Sequence, residues 1–210
     1  MKKLVQSTVV MMMLFIGSAD VMAIEEAKYT VVTKQDDFEI RDYAPHVLAE
    51  VMVSGNLEDA GKEAFRVLFK YISGDNERQD KLAMTAPVSQ QGTSEKIDMT
   101  APVGQQRFKG KWLVSFTMPA SYTLETLPKP LNSSVVLREI PSRKLAAVQY
   151  SGFWSEEGYL SNKARLESWI KKKDLEVVGE PIWARYNAPF SLWFLRRNEV
   201  LIPISDNVKN

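Results

Sequence analysis

Apolar side chains recur along this chain in two rhythms. A period of two marks extended segments: residues 29–33 (Tyr-Thr-Val-Val-Thr), then Phe38-Glu39-Ile40-Arg41-Asp42-Tyr43, then the longer run His46 to Val53, set off by Ala44-Pro45 and closed by Ser54-Gly55. Trp112, Val114, Phe116 and Met118 alternate with Leu113, Ser115 and Thr117 as a further half-buried strand. Residues 135–140, 145–150 and 182–186 predict three more. A last run from Leu192-Trp193-Phe194-Leu195 through to Pro203 follows a turn at Asn187-Ala188-Pro189.

The helical rhythm appears twice. From an Asn56 cap with Glu58 and Asp59 in the first turn, Leu57, Ala60, Gly61, Ala64, Phe65, Leu68 and Ile72 fall on one face of a helix ending near Gly74. A second helix is predicted from Ser155 to about Lys173, with Leu160, Ala164, Trp169 and Ile170 as its apolar positions. Each helix follows a strand that ends in Ser-Gly, and in each case another glycine comes six residues later, Gly61 and Gly158. Two such units predict an internally duplicated α+β domain, a curved antiparallel sheet carrying two helices.

One five-residue word occurs twice, Met84-Thr85-Ala86-Pro87-Val88 and Met99-Thr100-Ala101-Pro102-Val103. Proline confines each copy to a strand boundary, and the polar, turn-rich stretch 89–95 between them predicts a hairpin. Met84 and Met99 then read as core fillers.

Composition narrows the function. Met1-Lys2-Lys3, a largely apolar stretch from Leu4 to Ile16 and small residues before Ala23 have the layout of a secretory signal cut after Ala23, and the apolar part is too short to span a bilayer. This predicts a signal over residues 1–23, one domain over 24–210, and a periplasmic location after export. Without Lys2, Lys3 and Asp20 the domain is close to neutral, which points to no nucleic-acid partner and no membrane insertion. With no cysteine, disulfides, thiolate nucleophiles and thiolate metal sites are excluded.

The doubled Met-Thr-Ala-Pro-Val, the early Phe38 to Tyr43 run, the strand from Trp112 to Pro119, Leu127-Pro128-Lys129-Pro130 and the closing Arg196-Arg197-Asn198-Glu199-Val200 together resemble the SOUL haem-binding family over nearly the whole chain after Ala23. That resemblance implies a distorted antiparallel β-barrel flanked by two helices, built from a repeated unit related to bacterial effector-binding domains. It also implies haem or free porphyrin as a bound, non-catalytic ligand, in a shallow apolar groove beside the first helix and the loop joining the last two strands. In this chain those are the helix bearing Phe65 and Phe69, with Lys62, Arg66 and Lys70 to meet the propionates, and the loop bearing Asn187 and Phe190. Some members carry a proposed axial histidine just after the arginine of an Arg-x-Tyr motif. Here that position is Asp42, and the chain's single histidine, His46, is the remaining candidate metal ligand.

The function expected is thus a tetrapyrrole carrier or buffer in the cell envelope. A binder or sensor of another amphipathic small molecule is the alternative. An enzyme is disfavoured: there is one histidine, no clustered metal-ligand motif and no phosphate loop, and Glu39, Glu50 and the Arg197/Glu199 pair read more simply as strand ion pairs.

Overall fold

A computed structural model describes residues 24–78 and 94–205. In chain order it contains β1 (Tyr29–Gln35), β2 (Phe38–Tyr43), β3 (His46–Val53), α1 (Leu57–Ile72), β4 (Asn76–Glu77), β5 (Val103–Phe108), β6 (Lys111–Thr117), β7 (Lys129–Pro130), β8 (Val135–Ile140), β9 (Arg143–Tyr150), α2 (Glu156–Lys172), β10 (Ile182–Arg185) and β11 (Asn198–Pro203). Nine strands form one curled antiparallel sheet in the order β1-β2-β9-β11-β10-β5-β6-β3-β8, and β4 pairs separately with β7. Among the described residues no helix is long and apolar enough to cross a membrane.

The duplication is visible as a shared register. β2 matches β8 and β3 matches β9 in length, and at one constant offset Arg41 corresponds to Arg138, His46 to Arg143, and Gly55 to Gly152. Both Gly55 (φ 112) and Gly152 (φ 130) occupy left-handed backbone, which explains the glycine in both turns. The second glycines differ in use. Gly61 lies inside α1 against Gln105 and Arg185, whereas the Gly158 N–H caps α2 by donating to Ser155 Oγ at 3.1 Å. The two units exchange their first strands: β2 pairs with β9, and β8 with β3.

Both helices cover the same face. Alternate strand positions Val47, Ala49, Val51 and Val53, with Trp112, Val114 and Phe116, pack against Leu57, Ala60, Ala64, Leu68 and Ile72 of α1 and continue into Leu166, Trp169 and Ile170 of α2 as one apolar core. Asn56 caps α1 as expected, its Oδ1 accepting from the Asp59 N–H at 2.8 Å.

Several expectations are corrected. Leu160 and Ala164 of α2 point outward, Leu160 being 51% exposed, and the helix buries Tyr159 and Leu166 instead. The run at Leu192 to Leu195 is a short 3₁₀ turn over Trp193–Leu195, not strand. Asn198 already pairs with Tyr150 and Arg185, the last residues of β9 and β10, so no ladder remains to hold earlier residues extended. The connection before β8 is partly internal: Leu127 is buried and the Pro128 carbonyl accepts from Tyr71 Oη at 2.9 Å. Met99 is 38% exposed rather than a core filler; in its copy of the repeat Thr100 and Ala101 are buried, and Val103 opens β5. The first copy, Met84 to Val88, lies outside the described residues, as does most of the loop of the expected hairpin.

The opposite face of the sheet is held by charge. Glu199, fully buried on β11, accepts from Arg41 Nη1 at 2.7 Å and Tyr186 Oη at 2.7 Å on one oxygen, and from Arg41 Nη2 at 3.0 Å and Arg197 Nε at 2.9 Å on the other. Arg41 donates further to Glu39 and lies over Tyr29, while Arg197 reaches Glu26. Burial lowers the affinity of Arg41 for its proton, but the hydrogen bonds and charge of Glu199 outweigh it and hold the guanidinium above its ordinary value. Burial pushes the Tyr43 hydroxyl up to about 12.

Glu199→Gln leaves two guanidiniums on this face without their central carboxylate. Removing one partner of a buried pair costs about 3–5 kcal/mol, and urea unfolding should report a loss of that size. A loss below about 1 kcal/mol, the range of exposed ion pairs, would show that the network does not hold the face.

Candidate functional site

On α1, Phe65 and Phe69 stand one turn apart and stack, with ring centroids 5.8 Å apart and planes 12° apart. Phe65 anchors the pair by an edge contact to Phe116 at 5.3 Å, and Phe69 remains 47% exposed. Arg66 and Lys70 flank this pair, are exposed, and make no ion pair with a carboxylate among the described residues. Lys62 is also exposed but is already paired with Glu58 at 2.7 Å.

The strip Gly61, Phe65, Phe69 leads back to the end of β10. A Cβ on Gly61 would stand 3.0 Å from Gln105 Oε1 and 3.3 Å from Arg185 Nη2, so this glycine lets the helix lie against the Arg185 guanidinium. Arg185 donates to Gln105 Oε1 at 3.0 Å and sits over the rings of Trp154 (5.4 Å) and Trp183 (4.9 Å), with no carboxylate beside it among the described residues. Burial pulls it down to about 10. The Trp183 indole N–H is directed at the Tyr150 hydroxyl, while Arg185 Nε is buried without an acceptor, so the guanidinium keeps an unused donor at the floor between the helices.

Beyond Arg185 the chain enters the loop before β11. Asn187 is used structurally, its Oδ1 accepting from the Arg197 N–H at 2.6 Å. Phe190 is 90% exposed, and Leu192, Trp193, Phe194 and Leu195 are each about half exposed or more. Phe153 stacks on Trp193 at 5.2 Å and is itself exposed. Arg196 holds the loop by donating to the Ser191 and Pro189 carbonyls and lies 4.7 Å over Trp154. Outward aromatic surface of this extent is the kind of patch at which soluble proteins bind ligands or partners.

Arg185 meets α1 at Gly61 and shares the Trp154 ring with Arg196 of this loop, whereas His46 lies apart. In β3, Val47 faces the helices and His46 the other side, where its Nδ1 lies 2.8 Å from the Ala44 carbonyl oxygen. A ligand resting on α1 is out of its reach. Among the described residues no group of three or more His, Cys, Asp or Glu side chains could hold a metal ion. Sequence reasoning missed Arg185, Trp154 and Trp193. For Arg185 and Trp193 the signal available was the density of tryptophan and arginine around residues 183–197, which the strand reading absorbed; Trp154 carried none.

The family model described as SOUL heme-binding protein matches residues 24–203, nearly all of the described chain. The chain belongs to the SOUL family. Among curated relatives of this SOUL protein, heme-binding protein 1 of Xenopus tropicalis is 24% identical over 169 residues, covering 77% of this chain and 84% of the relative. Heme-binding protein 2 of Homo sapiens is 28% identical over 172 residues, covering 77% and 79%. Both relatives are named for heme binding. In fold the SOUL chain is similar to the EcmrR C-terminal domain, with a TM-score of 0.57 at 7% identity, covering 84% of this chain and 98% of that one. This agrees with the duplicated α+β architecture.

Burial lowers the His46 pKa below its ordinary value of about 6.5, with Arg143 and Arg138 adding to it against the pull of the Ala44 carbonyl. The unfolded chain therefore takes up this proton first, and stability falls as pH drops below about 6.5 towards the folded-state pKa. His46→Gln should flatten that part of a stability–pH curve. An unchanged slope would mean that the ring titrates as it does in the unfolded chain.

Proposed function

We propose that this protein binds a tetrapyrrole against α1 and the Phe190 to Leu195 loop and serves as a carrier or buffer in the cell envelope. The observation that carries the reading is the outward Phe65–Phe69 stack bordered by two cations without carboxylate partners, in a chain of the SOUL family. A macrocycle lies on such an apolar surface, and its propionates accept charge-assisted hydrogen bonds from Arg66 and Lys70. Arg185, desolvated and short of acceptors, offers a third donor at the inner end of the strip.

The residues fit the ring and its carboxylates. They supply no histidine to iron on that face among the described residues, so the reading rests on porphyrin contacts and applies to the iron-free ligand as well. The matched curated relatives bear the name heme-binding protein, which supports the same ligand class.

Titration of the full chain with hemin and with protoporphyrin should give saturable Soret changes and tryptophan quenching for both. The double variant Arg66→Ala, Lys70→Ala removes two charge-assisted contacts and should weaken both ligands about tenfold or more, while His46→Ala leaves both curves unchanged. Unsaturable spectra with either ligand would overturn the tetrapyrrole reading. A thermal shift with other amphipathic molecules alone would assign the surface to them instead.

The envelope role rests on the N-terminal pattern, Lys2-Lys3, the apolar stretch and the small residues before Ala23. Expression with a C-terminal tag should yield a processed chain beginning at Ile24 in the periplasmic fraction. An unprocessed chain in the cytoplasm would remove this part of the reading.

A further inference from the structure

The face away from the helices contains a second candidate site at the seam between the two units. Tyr43 pairs with Arg143 across β2 and β9, and His46 pairs with Ile140 across β3 and β8. Residues 44–45 link Tyr43 to His46, and residues 141–142 link Ile140 to Arg143. The four residues thus close a ring, in which His46 and Arg143 are the corresponding positions of the two units.

This ring borders a narrow cleft of about 50 Å³, lined also by Glu50, Ser115 and Arg138. Ala27, His46 and Thr117 also line a wider mouth of about 320 Å³, so the two spaces adjoin. The cleft holds one carboxylate for two guanidiniums. Arg138 takes it, its Nε and Nη2 donating to Glu50 at 2.7 and 2.8 Å. Arg143 makes no hydrogen bond to a carboxylate among the described residues, the Glu50 charge acting on it only through space, and its Nε is buried with no acceptor. A partly desolvated guanidinium with an unused donor is costly to keep, and an anion entering from the mouth would meet it.

We propose that this cleft binds a short monocarboxylate, its carboxylate on Arg143 and its chain directed into the mouth. The inner space admits a group about the size of one or two water molecules, which suits a carboxylate and excludes a macrocycle. The mouth presents Pro45 and Leu124 to an alkyl chain, while Glu25, Glu26, Glu125 and Glu139 at its walls repel a second negative charge. Ser115, beside Gly104 on the neighbouring strand, adds a hydroxyl to the inner wall. This site is separate from the α1 surface and does not depend on tetrapyrrole binding.

The test is NMR titration of the full chain with sodium butyrate, with glutarate, butylammonium and phosphate as comparators. Butyrate should produce saturable shifts at His46 and Ser115 and raise the His46 pKa, since a carboxylate beside the ring favours its protonated form. Glutarate and phosphate should bind at least tenfold more weakly, and butylammonium should leave these signals in place. Arg143→Gln should weaken butyrate at least tenfold while melting at or above the parent temperature, because it removes a partly desolvated charge with no hydrogen-bonded carboxylate. Should that variant fail to fold, Arg143→Lys keeps the charge but not the planar fork and should also weaken butyrate. Absence of shifts at His46 and Ser115 in the parent chain overturns the proposal. So does equal binding by the Arg143 variant, or phosphate binding as tight as butyrate. A hemin titration run alongside reads the other surface and should not respond to butyrate, whichever way it turns out.

Discussion

The Glu199 carboxylate is the point on which the face away from the helices depends. Ionised groups leave water at a cost of several kcal/mol each, repaid only where every lone pair and proton finds a partner. Glu199 meets that condition with four donors from Arg41, Tyr186 and Arg197. These partners come from β2, the end of β10 and the segment entering β11, and Arg197 and Arg41 extend the grip to Glu26, Tyr29 and Glu39. One side chain therefore ties the edge of the sheet, its middle and the segment preceding β1 into a single polar assembly. The small apolar cluster of Tyr43, Leu145, Ile182 and Leu201 packs beside it.

The sheet has two unlike faces. The helix face is apolar and continuous, and α1 and the loop before β11 extend that apolar character to the surface, where it can accept a large flat molecule. The other face is largely polar, and its inner cleft of about 50 Å³ has room only for a small group. Corresponding arginines show how the two units diverged. Arg41 found Glu199 on β11 and became structural, while Arg138 found Glu50 on β3 and left Arg143 without a hydrogen-bonded carboxylate among the described residues.

How legible each feature was in the sequence follows from how local its cause is. The strands at 38–43, 46–53 and 135–140 and both helices are set by alternation, caps and breakers within a few residues, and the sequence pattern places them with their observed bounds or nearly so. β5 escapes that logic because Gly104-Gln105-Gln106-Arg107 carries no apolar alternation; Gln105 is buried because its amide donates to the Leu57 carbonyl at 2.7 Å, a partner supplied only by the fold. The stretch at 192–195 misleads in the other direction. Its apolar residues match a strand, but a strand also needs a neighbour, and there is none at that point. Among the candidate site residues, the exposure of Phe69, Arg66 and Lys70 could be read from helical phase. The separation of His46 from them follows from strand parity once β3 is seen to carry α1 on its Val47 side. For Arg185 the sequence offered only the local density of tryptophan and arginine; that no carboxylate stands beside it among the described residues is a property of the fold.

The exchange of first strands between the units has a consequence for how such a chain could arise. Neither unit completes its own sheet: each lends its leading strand to the other and borrows one in return. A protein of half this length could satisfy those edges only by pairing with an identical copy. Within one chain the two halves of the shared seam carry different residues, and a histidine stands beside an arginine where a symmetric dimer would hold the same residue twice.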